Sequence, residues 1–580
     1  MTQIAVLADV HLHDVYGDYG FAGVLNSRSG QAASVRTLRD TIRSTRAFNE
    51  SYFAVQAVLD DLAAKGVRHV VLVGDYSDDG QRATVEGVAR ILARYRDLHG
   101  MAFYGTVGNH DTVQPFGSHQ GKAFLGPDGS ATLVTSDPQA AERTEGAVVS
   151  QAMRGLGYDE SLSLLGEAGF QPQEAYLHWE TPFGAGPRAF PMTAEDGSRT
   201  LEVPDASYLV EPVDGVWILS IDGNVFLPKA DGGFTDASDA GWDALVKHKP
   251  GLLAWIRNVT DRARRQGKRL LAFSHYPLVD YMNGTSAEQE RLYGRVGFIR
   301  RNPGDVTSRI GLDCGLSVHF SGHIHIDATG TVEAEGRRLT NIAVPSLAAY
   351  PPAYKLVTFT REAMQVETVH VDHVPRFDEL FEHYRREGGR YGAILEADDY
   401  RSFLREHLTQ LVLHRHLAED WPDMQGLIAR LNGLDLLRLA CLGDTAPSAA
   451  GDALRAVPPA VEREVRERMS QAGIDARALE ALRLEELVVD WYRLRNGGTL
   501  AFRDIAPGRR NMYGFLAEAF RLEGDPDSIQ GRLGGLLRVM MRYLALPSSQ
   551  RLEFPARADG RLHEAETTRE EALRLQTIRA

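Results

Sequence analysis

Along the first 372 residues, short apolar runs alternate with amphipathic stretches. "QIAVLAD" (3–9), "HVVLVGD" (69–75), "MAFYGTVGNHD" (101–111), "VWILSID" (216–222), "RLLAFSHYP" (269–277) and "LSVHFSGHIH" (316–325) each place Val, Ile, Leu or Phe ahead of a polar or glycine-bearing loop. That pattern predicts buried strands. Between the first two, Phe53, Val55, Val58, Leu59 and Leu62 fall at helical spacing over 48–66, with Gly66 as the stop. Residues 84–100 repeat the arrangement. Strand, helix, strand with glycine punctuation predicts an α/β fold.

An insertion of about 112–215 interrupts the pattern. Residues 136–169 read as helix and loop, and 170–205 are rich in Pro and Gly. Asp214-Gly215 then predicts a hairpin turn, and 330–372 read as further β structure. From about residue 375 the strand signals stop. Tyr400, Phe403, Leu404, Leu408, Leu411 and Val412 share one helical face, and 424–442, 459–495, 511–522 and 530–546 read as helices. Two domains are expected: 1–372, and an all-α region over 375–580 whose charged last thirty residues are partly disordered.

Composition narrows the function classes. The 580 residues carry a formal net charge of −14, which disfavours a nucleic-acid backbone as the main partner. Two cysteines, Cys314 and Cys441, provide no disulfide framework. No basic, apolar leader and no 18-residue apolar run occurs. A cytoplasmic protein that does not enter the membrane is expected.

The chemistry lies at the strand ends. The predicted strands deliver Asp9-x-His11, Gly74-Asp75-x-x-Asp78, Gly108-Asn109-His110-Asp111, Ser274-His275 and Gly322-His323-x-His325. In open α/β sheets, functional crevices lie outside the carboxyl ends of strands. Any one cluster is an ordinary turn; five in order, each after an apolar strand, form a site. Carboxylate and imidazole together suit Mn, Fe, Co or Zn, and Asp75 is the natural carboxylate to bridge two closely spaced cations. His13, His119, His178 and His319 are not needed for such a site, and His319 reads as a hydrogen-bonded core residue. Asn224, after "SID", is expected near the site. Cys314 reads as a small buried hydrophobe, and "RARRQGKR" (262–269) as a solvated helix end.

This ordered set resembles the calcineurin-like metallophosphoesterase family over about residues 1–372. The resemblance implies a metallophosphoesterase-type β-sandwich flanked by helices. It implies two divalent or trivalent metal ions, one held by Asp9, His11 and His325, the other by Asn109, His275 and His323, with Asp75 bridging. His110 would be the general acid, oriented by Asp78 or alternatively Asp111, and a metal-bridging hydroxide the nucleophile. Alternate residues of an extended segment point the same way, which would bring both His323 and His325 to the site. Asp79 stands where the protein-phosphatase branch has a phosphate-holding arginine. "GNHD" and "SHYPL" are more similar to the bacterial phosphodiesterase and phosphohydrolase branch. The expected function is a metal-dependent phosphodiesterase acting on a small or medium phosphate ester. A phosphomonoesterase, or a nuclease on the same scaffold, is the alternative, and a non-catalytic protein-binding scaffold the remote one. The C-terminal helices are expected to cap the site, to form a homo-oligomer interface or to bind a partner.

Overall fold

The computed structural model describes residues 1–389, 391–520 and 525–555. The contacts of the described residues group into two compact units, one of residues 1–281, 301–407 and 549–555, the other of 282–300 and 408–548.

The first unit is built on two sheets. Strand Thr2–Leu7 lies at the centre of the six-stranded sheet. It pairs parallel with His69–Leu72, which pairs parallel with Ala102–Gly105. On its other side it runs antiparallel to Ala353–Phe359. The seven-stranded sheet has a parallel centre: Val216–Ile221, Arg269–Ser274, Val318–Ser321 and Arg337–Ala343 lie side by side. Hydroxyls tie the sheets together, with Tyr208 Oη and Ser220 Oγ donating to the Gly105 carbonyl (3.0 and 2.9 Å). Parallel strands need crossovers, and helices Ser51–Ala64, Arg82–His99 and Pro250–Arg265 supply them. Phe53, Val55, Val58, Leu59 and Leu62 are all buried, as their spacing predicts. Helix Arg82–His99 ends on Gly100 at φ 64°, where its amide caps the Arg96 carbonyl. The hairpin turn at Asp214-Gly215 joins Tyr208–Val213 to Val216–Ile221.

Three features differ from the expected pattern. The insertion contains a small sheet of Gly121–Leu125, Ala131–Thr135 and Val148–Val149; its outer positions are polar or small, so it lacks the apolar run that marks a buried strand. Residues 375–407, read with the helical region, group with the first unit. Tyr384 donates to Glu50 (2.7 Å) and receives the Asn49 amide (2.6 Å), and Phe377, Phe381 and Phe403 pack edge-on and tilted beside it. Finally, Arg551–Pro555 is a strand, paired antiparallel with Ala363–His370. It lies within the stretch expected to be partly disordered; residues 556–580 of that stretch lie outside the described residues.

The second unit is helical. Trp421, Trp491, Tyr492 and Tyr543 are buried among its helices, and Tyr492 and Tyr513 donate to the buried carboxylates of Asp420 and Asp490 (2.5 and 2.6 Å). Among the described residues, no helix is long and apolar enough to cross a membrane.

Candidate metal centre

The polar clusters at the carboxyl ends of five strands meet at one place in the first unit. Asp9 and His11 follow Thr2–Leu7, Asp75 follows His69–Leu72, and Asn109 and His110 follow Ala102–Gly105. His275 follows Arg269–Ser274, and His323 and His325 follow Val318–Ser321. The backbone there is unusual. Nine described non-glycine residues have positive φ, and six of them are Asp9, His11, Asp75, Asp79, His323 and His325. Such conformations cost roughly 1–3 kcal/mol each and concentrate where the fold over-determines a site. Strand Val318–Ser321 stops short of both histidines. His323 (φ 72°) and His325 (φ 53°) reach the site from a tight turn, not from the extended segment expected.

Two donor groups share a carboxylate: Asp9, His11 and His325; and Asp9, Asp75 and His275. His11 Nε2 and His325 Nε2 face each other at 2.9 Å, with Asp9 Oδ1 at 3.4 Å from His325 Nε2. Asp75 Oδ2, of the second group, lies 3.2 Å from His275 Nε2 and 3.7 Å from His11 Nε2 of the first. Asn109 Oδ1 lies 3.1 Å from His275 Nε2. Backbone carbonyls accept only, so Val73 O (2.9 Å) and Thr45 O (3.2 Å) take the Nδ1 protons of His275 and His325 and aim both Nε2 atoms inward. Such support is usual for metal-binding imidazoles. His323 packs against His275 and Tyr276, with ring centroids 5.0 and 4.8 Å apart.

The glycines of the motifs are explained by close approach. A Cβ on Gly108 would sit 2.1 Å from Asp75 Oδ1, one on Gly322 2.5 Å from Asp9 Oδ2, and one on Gly74 2.7 Å from His275 Nδ1.

The residues fit a pair of cations. His323 Nε2 and His11 Nδ1 are buried without a hydrogen-bond partner. Burial first, then nearby Arg46, pushes His11 well below the usual histidine range; burial and Arg301 do the same for His323. Both rings are therefore held neutral, the form that coordinates metal. Burial also opposes charge on His275 and Asp75, but their mutual attraction outweighs it: His275 rises to about 9 and Asp75 falls below the usual carboxylate range. Carboxylates that hold a proton on a fully buried imidazole create the electrostatic demand that a cation meets.

His110 borders this cluster and is the more exposed, at 30%. Its amide donates to Asp75 Oδ1 (2.8 Å). Asp78, expected to orient its ring, is held elsewhere: Oδ2 accepts from Arg36 Nη1 (2.9 Å) and Oδ1 from Arg46 Nε (3.0 Å). Asp111, the alternative, accepts from the amides of Ser77 and Gly108 (2.9 Å each). The carboxylate that touches His110 Nδ1 is Asp79, which also pairs with Lys122. Burial raises the Asp79 carboxyl, but Lys122 and His110 outweigh this and hold it well below the usual range.

Arg36, Arg46 and Lys122 are thus site residues that motif reading missed. Their signal was indirect: the paired acids of "GDYSDDG", buried, require cations. The other singled-out residues behave as packing. His319 bridges Ser274 Oγ (3.0 Å) and Asn341 Oδ1 (2.7 Å). His13 bonds the Ser34 carbonyl (2.7 Å), His119 lies beside Ser136 Oγ (3.1 Å), and His178 pairs with Glu180 (2.8 Å). Cys314 is buried. Asn224 lies beside the site, donating to the Gly108 carbonyl (3.2 Å).

The family model described as calcineurin-like phosphoesterase matches residues 2–147. No curated protein matches the chain. Among solved structures it is similar to a dimetal phosphatase from Danio rerio, at 10% identity and a TM-score of 0.32, over 64% of this chain and 96% of that one. It is also similar to GAP50, the anchor in the inner membrane complex of Plasmodium, at 9% identity and a TM-score of 0.25, over 67% of this chain and 95% of that one.

Proposed function

We propose that this chain, a metal-dependent phosphoester hydrolase by its calcineurin-like phosphoesterase match over residues 2–147 and its paired donor groups, is a phosphodiesterase. The observation that carries the reading is the pair of donor groups sharing Asp9, with Asp75 of the second group 3.7 Å from His11 of the first and His110 at their edge. Asp9, His11 and His325 would hold one cation and Asn109, His275 and His323 the other, with Asp75 common to both; Mn, Fe, Zn and Co all suit this donor set. Bound cations would supply Lewis acidity at the phosphoryl oxygens and a water of lowered pKa.

The remaining work belongs to the chain. The backbone amide of His110, anchored on Asp75, sets its imidazole beside the cluster. With Nδ1 engaged by a carboxylate, Nε2 is left to face the ester and donate a proton to the departing oxygen. General acid help of this kind contributes roughly 10²–10⁴ in rate.

The charges beside His110 favour a diester. Arg36 and Arg46 are committed to Asp78, and Lys122 to Asp79. The dianion of a monoester meets no uncommitted cation among them, whereas a diester carries a single negative charge and asks for less. Hydrolysis of bis(p-nitrophenyl) phosphate and of p-nitrophenyl phosphate, after metal removal and restoration with Mn²⁺, tests the reading. Diester turnover that returns with Mn²⁺ and, for the poorer phenyl leaving group of a diphenyl ester, falls in His110→Ala supports it. A monoester preference, or no turnover with metal bound, rejects it.

A further inference from the structure

We infer that Asp79, held in turn by Lys122, is the positioning residue for His110, in the role that the family resemblance gives to Asp78. The inference rests on the reading of His110 as the proton donor to the leaving oxygen.

Geometry separates the two aspartates. Asp78 is buried, and its carboxylate accepts from Arg36 and Arg46 on both oxygens. Turning it toward His110 would strip the buried Arg36 of its carboxylate partner and leave Arg46 only the longer contact to Asp79 (3.4 Å), a costly step. Asp79 has no such conflict. One oxygen meets His110 Nδ1, with Arg46 Nη2 at 3.4 Å, and the other meets Lys122 Nζ. A guanidinium only donates, so Arg46, 3.4 Å from His110 Nδ1, cannot take that proton.

The backbone is shaped for this contact. Asp79 has φ 65°, and Gly80 follows at φ 63°. At Gly80 a Cβ would sit 2.4 Å from the Asp111 carbonyl, in the loop that carries His110. The turn is thus pressed against the histidine's own loop, and the left-handed residue Asp79 brings its carboxylate to the ring's Nδ1 edge. Lys122 comes from the first strand of the inserted sheet. The insertion therefore contributes to the proton donor through an ion pair. The place of the absent arginine is filled by a residue that orients the acid and does not hold phosphate.

Two substitutions suit φ 65°. Asp79→Asn keeps the shape and removes the charge, and Asp79→Gly removes the side chain without opposing the backbone. Lys122 then retains Asp78, 4.0 Å away. The assay is hydrolysis of aryl phosphodiesters ranging from p-nitrophenyl to the poorer phenyl and p-methoxyphenyl leaving groups, with Mn²⁺ restored. A second readout is the downfield proton resonance of His110 Nδ1–H, identified by its loss in His110→Ala.

Both variants are expected to steepen the dependence on leaving group. The loss approaches the roughly 10²–10⁴-fold of general acid help for the poorest leaving group and is small for p-nitrophenyl. Adding Asp79→Asn to His110→Ala is expected to cost nothing further, as for two residues acting as one unit. The resonance should move upfield in Asp79→Asn and vanish in Asp79→Gly. Equal losses for every leaving group, additive losses in the double variant, or an unmoved resonance would overturn the assignment. Should the unaltered protein hydrolyse no ester, the proposed function fails, and the resonance by itself still decides whether Asp79 holds His110.

Discussion

Glu50 tests the electrostatic reasoning most sharply. It is 1% exposed, just ahead of helix Ser51–Ala64. Oε1 accepts from Tyr384 (2.7 Å), and Oε2 has no partner. No ion pair offsets its charge among the described residues. Burial, only partly countered by the Tyr384 hydrogen bond, raises its pKa from 4.5 to about 7. Between those values the folded protein keeps a proton that the unfolded chain releases. Where the unfolded state binds fewer protons, stability falls as pH rises. Glu50 therefore costs nothing below 4.5, and the penalty grows until about pH 7, where it levels off. The gap of about 2.5 pH units, at 1.36 kcal/mol each, amounts to about 3 kcal/mol. Glu50→Gln removes the titration and keeps the shape. Any fixed offset from its amide cancels when variant and original are compared across pH, as do all other titrating groups. Calorimetric unfolding from pH 4.5 to 8 is the assay. The variant should gain about 3 kcal/mol relative to the original across that window, several degrees in midpoint at about 2–4 °C per kcal/mol for a unit of 150–250 residues and fewer for a larger one. Curves that stay parallel would refute the reasoning. The result bears on the site, because the neighbouring Ser51 Oγ donates to the His11 carbonyl (3.0 Å).

Other perturbations probe the scaffold and the donors. Gly322→Ala would drive a methyl against Asp9 Oδ2; Mn²⁺ affinity by calorimetry is expected to fall about 10–100-fold, as when a ligand's support is lost, and unchanged affinity with an intact fold would count against Asp9 as a donor. Lys249→Met strands the buried carboxylate of Asp205, which Lys249 meets at 2.8 Å; denaturant unfolding should show a loss of about 3–5 kcal/mol, and a neutral result would mean that water reaches the pair. Mn²⁺ at 100 times its dissociation constant should stabilise the first unit by about 2.7 kcal/mol; a midpoint unmoved by Mn²⁺ would contradict the donor set.

Much of this protein was legible along the chain, for a local reason. A buried parallel strand must be apolar, and it must end where its backbone leaves the sheet. Apolar runs that stop at Asp9, Asp75, Asn109, His275 and His323 therefore announced both the strands and the edge at which they meet. The motif glycines were visible as well, but their reason was not local, since each marks a place where a Cβ would collide with a donor from a distant segment. What only the tertiary structure decided were the pairings between distant, individually ordinary residues. Nothing near "GDYSDDG" says that Arg36 and Arg46 claim Asp78, leaving Asp79 to meet His110 and Lys122. The inserted sheet and strand Arg551–Pro555 were hidden because a small sheet and an edge strand bury too little to need an apolar run. Local sequence carries burial and backbone conformation; which buried charge finds which partner depends on the closed fold, because each cation takes whatever carboxylate the packing leaves within reach.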